Sequence, residues 1–148
     1  MEIDKLKAAG MERLIFDLRG NGGGSLPAAI DVAGLFIDQG PVVQVKTSGQ
    51  RLKTYKDDDA GTSWDGPLLI LVDENTASAS EIVAAAMQDH GRALIVGSPQ
   101  TFGKGTVQTI IDMDRAAGPF NRKHGPLGAY KLTIQKYYRI TGGTTQLQ

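Results

Sequence analysis

Apolar residues fall first in short runs, then at every third or fourth position, then in short runs again. Arg13 to Leu18 is an apolar run of strand length. Gly20 to Gly24 interrupts it, because glycine permits left-handed backbone and close approach. Ser25 is placed to N-cap a helix with Pro27 in its first turn, and Ile30, Ala33, Gly34 and Ile37 keep helical spacing up to Gly40-Pro41. Val42 to Lys46 and Arg51 to Lys56 read as two strands about a turn at Ser48-Gly49, and Asp57 to Gly66 as a polar loop. Pro67 to Asp73 is a second buried strand, a helix follows from Ser78 to about His90 and ends at Gly91, and Ala93 to Gly97 is a third buried strand. Thr106 to Met113 and Ala129 to Ile140 are strands, with Tyr130, Leu132 and Ile134 on one face of the second. Between them Asp114 to Gly128 carries prolines, glycines and basic residues and reads as an exposed insertion. Strand, helix, strand, helix, strand predicts an α/β fold with a largely parallel core and right-handed crossovers.

Composition narrows the possibilities only a little. A length of 148 residues suffices for one domain with its own core. Basic and acidic residues balance at 16 each, so no global field favours nucleic acid or an anionic membrane. No apolar run reaches the roughly 18 residues of a membrane span, and Met1 opens no signal peptide. Glu2 to Gly10 resembles the last turns of a helix with a glycine C-cap, so the chain reads as a piece of something longer. The absence of cysteine removes disulfides and thiolate chemistry, and no His/Asp/Glu cluster has metal spacing. No cofactor is called for.

With no cysteine and only His90 and His124 as histidines, a nucleophile is expected to be serine and its base lysine. Ser78-x-x-Glu81 has two readings. It is a capping box, with the serine hydroxyl on the N3 amide and the glutamate reaching back. The same geometry puts a serine where free N–H groups and the helix dipole favour a developing negative charge, with the Ala79 amide aimed at an oxyanion and Ser80 taking over as cap. Lys104, between Gly103 and Gly105, is either a solvated loop lysine or a base made usable by burial. Gln108 can orient it, but four residues of straight strand span about 13 Å, so the segment must bend at Gly105. Gly20 to Gly24 matches neither a phosphate loop nor the dinucleotide fingerprint. It is either a tight turn or, through the amides of Gly23 or Gly24, a second oxyanion donor. Asp89 stands about 16 Å along a straight helix from Ser78, too far for contact, and reads as structural, bonded to Arg92 or backbone. His124 falls in the insertion and is assigned no role.

Together Leu14-Ile-Phe-Asp-Leu-Arg-Gly-Asn-Gly-Gly-Gly24, Ser78-Ala-Ser-Glu81 and Phe102-Gly-Lys-Gly-Thr-Val-Gln108 resemble the carboxy-terminal processing, or tail-specific, proteases of the S41 serine peptidases. The segments 84–94 and 134–143 are similar to the bacterial tail-specific branch, and the likeness covers nearly the whole chain, residues 1–148. It implies a crotonase/ClpP-like β-α superhelix core, with Ser78 as nucleophile, Lys104 as general base and Gln108 as third residue. It also attaches activity to Asp89, against the distance argument. Implied substrates are unfolded or C-terminally exposed proteins, with no nucleic acid, no metal and no cofactor. A homo-oligomer and a periplasmic location are further implications.

Two departures from the family pattern matter. The PDZ domain that captures the substrate tail by β-augmentation, and flanking elements, are absent from the 148 residues. Ser98 to Thr101 also holds one residue more than the pattern before the lysine loop. Lys104 is therefore expected on a mobile or displaced loop, in a core that folds but cleaves poorly alone. Two other functions share the fold: a non-catalytic ligand- or peptide-binding module, which an intact Ser78 and Lys104 argue against, and a thioester enzyme using paired amides without the dyad.

Overall fold

A computed structural model describes residues 1–118 and 126–146. The elements are α1 (Glu2–Ala8), β1 (Leu14–Asp17), α2 (Leu26–Gly34), β2 (Gly40–Thr47), β3 (Lys53–Asp57), β4 (Leu68–Val72), α3 (Ala79–Asp89), β5 (Leu94–Gly97), β6 (Thr106–Asp112), α4 (Met113–Ala117) and β7 (Ala129–Tyr138). A three-stranded sheet runs β1-β4-β5, parallel throughout, and a four-stranded sheet runs β3-β2-β7-β6. The second sheet is antiparallel at every pairing. The expected α/β class holds, but the parallel part is limited to β1, β4 and β5. For β2 and β3 the cause is connection length: the turn closed by Gln50 N–H on Thr47 carbonyl (3.1 Å) sends β3 straight back along β2, and so short a link cannot join parallel strands.

Helix α2 starts as predicted, with the Ser25 hydroxyl accepting from Ala28 N–H at 3.3 Å. It stops at Gly34 rather than Ile37, where Phe36 N–H turns back to the Ala33 carbonyl. Gly34 packs against Asp57, and a Cβ there would stand 2.7 Å from its carboxyl carbon. Helix α3 touches α2, β2 and β5, so it bridges the two sheets. Its Met87, with Ile70 of β4 and Ala33 of α2, is fully buried and forms the centre of the core. Burying an apolar side chain of that size contributes about 1.5–3 kcal/mol.

The insertion read at 114–128 opens with the short helix α4, whose N-cap Asp112 accepts from Arg115 N–H at 3.0 Å. Its residues 119–125, with His124, lie outside the described residues. Among the described residues no helix is long and apolar enough to cross a membrane.

Candidate active site

Three loops leave the carboxyl ends of the parallel strands: the glycine loop after β1, the turn from β4 into α3, and the lysine loop after β5. That end of a parallel sheet is where α/β folds place their sites. Thr76 stitches two of the loops together, its buried hydroxyl donating to the Leu18 carbonyl at 2.8 Å while accepting from Asp73 N–H at 2.9 Å. The Asp73 carboxylate accepts from Gly20 N–H at 2.9 Å, and that bond, then Thr76 and Asn75, holds its pKa below the usual aspartate range against the cost of burial. Thr76 also accepts Phe102 N–H on its carbonyl at 3.0 Å, which docks the lysine loop.

Ser78 sits at the resulting strand-to-helix corner as the N-cap of α3, with φ 58° and ψ −119°. A serine in that region carries strain on the order of 1–3 kcal/mol, which persists only where surrounding contacts impose it. Gly23 is one such contact. Its φ is +93°, and a Cβ there would lie 2.6 Å from the Ala77 carbonyl oxygen and 2.7 Å from Ala79 N, so only glycine fits. Ser80 does not take over the cap. It lies inside the first turn of α3, buried, while Ser78 and Glu81 form the reciprocal capping box.

The structure also gives Glu81 a task that the capping box does not reveal. Glu81 is 2 % exposed, and its carboxylate accepts four hydrogen bonds. One oxygen takes Ser78 N–H at 2.7 Å and Lys104 N–H at 3.0 Å. The other takes the Thr101 hydroxyl at 2.6 Å and Gly103 N–H at 2.7 Å. One buried anion thus ties the Ser78 corner to the lysine loop. The Lys104 carbonyl is held from the other side by the hydroxyls of Tyr137 and, at 3.0 Å, Thr145. The expected displaced loop is therefore not what is found: the backbone at Lys104 is fixed at both its N–H and its carbonyl.

Ser78, Ala79, Gly24, Lys104, Gln108 and Tyr137 line one cavity of about 170 Å³. No hydrogen bond joins the Lys104 ammonium to Ser78 among the described residues. Of the expected oxyanion donors, Gly23 N–H is taken by the Asn21 side chain at 2.9 Å. Gly24 and Ala79 remain at the cavity, with Ala79 N–H among the unpaired amides that open a helix. Gln108 lines the cavity next to a register shift at Val107/Gln108, and its amide donates to the Thr133 hydroxyl at 3.5 Å. It makes no bond to Lys104.

Asp89 is elsewhere. At the far end of α3, its side chain 5 % exposed, it accepts Arg139 Nε on both oxygens at 3.1 and 3.2 Å and also pairs with Arg139 Nη2. The partner is Arg139 and not Arg92, whose guanidinium holds the carbonyls of Phe36, Trp64 and Gly66. A larger cavity, about 360 Å³, lies beside Gln88, Ser98, Gln100 and Arg139. It is lined by neither Ser78 nor Lys104, whereas the smaller cavity is lined by both.

The sequence profile of Peptidase family S41 matches residues 1–148. The tail-specific protease of Haemophilus influenzae is 48% identical over 150 residues, covering 97% of this chain and 20% of its own length. The carboxy-terminal-processing protease of Bartonella bacilliformis is 40% identical over 144 residues, covering 97% of this chain and 29% of its own length. Among solved structures, the photosystem II D1 C-terminal processing protease superposes with a TM-score of 0.75 at 34% identity, over 96% of this chain and 34% of that one. The chain thus spans between a fifth and about a third of the length of these relatives. With a strained serine at the strand-to-helix corner, a lysine on the same cavity and a profile match from end to end, this chain belongs to peptidase family S41.

Proposed function

We propose that this chain is the catalytic core of a serine endopeptidase working by a Ser78–Lys104 dyad. The observation that supports it most is that Ser78, on a strained corner, and Lys104, on a loop tied to that corner through Glu81, line one cavity. Ser78 Oγ attacks the peptide carbonyl carbon while the neutral Lys104 amine takes its proton. The carbonyl oxygen becomes an oxyanion, received by the amides of Ala79 and Gly24. The lysine then protonates the departing amine, leaving an acyl-serine. Water attacks that ester, giving a proton to Lys104; the acyl–Oγ bond then breaks, Oγ takes the proton back from Lys104, and the new carboxylic acid leaves with Ser78 restored. Gln108, on the cavity wall, contacts bound substrate or the lysine once a substrate draws the amine inward.

The relatives are named for tail-specific and carboxy-terminal processing. On that likeness the substrates are unfolded or C-terminally exposed proteins, the location is the bacterial periplasm, and self-association is part of the reading. The test is turnover of an unfolded protein by the intact protein. Ser78→Ala is expected to abolish cleavage, and Ser80→Ala to keep most of it with a stable fold. Equal loss from both, with both folded, would contradict the assignment.

A further inference from the structure

Tyr137 closes the floor of the Ser78 cavity and is 2 % exposed. It sits near the end of β7, opposite Val45 of β2, and its own N–H donates to the Gly105 carbonyl at 3.0 Å. Its hydroxyl donates to the Lys104 carbonyl. It lines the same cavity as Ser78 and Lys104. A phenol has one proton and lone pairs to spare. With its proton on the Lys104 carbonyl, its oxygen is left to accept the Ser78 proton's hydrogen bond. Burial pushes the phenol up to about 12, so it keeps its own proton and is no base for Ser78. What it can do is hold the serine.

We propose that Tyr137 is a positioning residue for the reaction: its hydroxyl donates to the Lys104 carbonyl and accepts from the resting Ser78 hydroxyl, which holds Oγ in the cavity beside the lysine until substrate binds and the serine proton turns to the amine. The inference rests on the Ser–Lys reading above. A buried tyrosine can also serve simply to satisfy a carbonyl, and Thr145 supplies the comparison. Its hydroxyl bonds the same Lys104 carbonyl at 3.0 Å but does not line the Ser78 cavity.

The experiment measures the second-order rate at which a fluorophosphonate acylates Ser78 in the intact protein, with kcat and KM on an unfolded peptide and the labelled residue mapped in the same samples. Tyr137→Phe is expected to slow acylation about tenfold and lower kcat in parallel, with KM within about twofold. Thr145→Val is expected to cost less than about threefold. Ser78 labelled at the wild-type rate in Tyr137→Phe overturns this inference alone, as does an equal loss in Thr145→Val, since the shared carbonyl would then carry the effect. Label on another residue overturns the Ser–Lys reading and this inference with it. Should Tyr137→Phe fail to fold, a fluorinated tyrosine at 137 keeps the hydroxyl and lowers its pKa. The fluorinated phenol is a weaker acceptor, so acylation of Ser78 must then slow, and an unchanged rate overturns the proposal.

Discussion

Glu81→Gln is the most informative single change in this chain. All four groups facing the carboxylate are donors: Ser78 N–H, Lys104 N–H, Gly103 N–H and the Thr101 hydroxyl. A glutamine offers one oxygen and one NH2. If the NH2 takes the place of the oxygen facing Ser78 and Lys104, two buried amide protons oppose two more. The better rotamer turns the NH2 to Thr101, whose hydroxyl can rotate to accept, and to Gly103, whose N–H is then stranded. An unsatisfied buried donor costs about 1–3 kcal/mol, and the remaining bonds lose the extra strength that a charged acceptor confers. The sum is about 3 kcal/mol. For a domain of this size that lowers Tm by about 6–12 °C. Because the same carboxylate sets the distance between the Ser78 corner and the lysine loop, kcat should fall by about a hundredfold, the usual result of misplacing reacting groups by about an ångström. Differential scanning calorimetry and single-turnover cleavage read the two effects. A Glu81→Gln protein within about 0.5 kcal/mol of wild type and equally fast would refute the view that Glu81 joins the two halves of the site.

Two further outcomes follow from the geometry. Asp89→Asn and Arg139→Gln should show a coupling of about 1–3 kcal/mol in a double-mutant cycle by urea denaturation, with kcat per folded molecule unchanged, because the pair is half-buried and away from the cavity; a loss of kcat without loss of stability would restore Asp89 to the catalytic set. The Tyr137 phenol, raised to about 12 from an ordinary 10, contributes stability that is intact below pH 10 and is lost as pH rises towards 12; ultraviolet titration should show one late phenol, absent in Tyr137→Phe.

The parts legible in the sequence are those fixed by neighbours along the chain. The apolar run 67–73 and the Ser78 cap depend on residues within a turn of one another, and β4 and α3 stand where the pattern puts them. The helix-length argument against Asp89 contact also held, because α3 runs unbroken from Ala79 to Asp89. What stayed hidden depends on partners far along the chain. Arg139 lies 50 residues from Asp89. Glu81 reads as half of a capping box because its other partners, Thr101 to Lys104, come twenty or more residues later. A clue was present: Glu81 is followed by Ile82, Val83 and Ala84, and a carboxylate next to buried residues on the first turn needs several donors. The antiparallel sheet was hidden for a similar reason, since periodicity identifies strands and not their partners.

The central claim, that Lys104 takes the proton of Ser78, is tested most directly by the acylation rate of Lys104→Arg across pH. Arginine keeps the length and charge but stays protonated, so it cannot act as a base. The expected result is a rate as low as that of Lys104→Ala at every pH at which the wild-type protein acylates. An arginine variant that acylates at Ser78 near the wild-type rate would contradict the Ser–Lys mechanism.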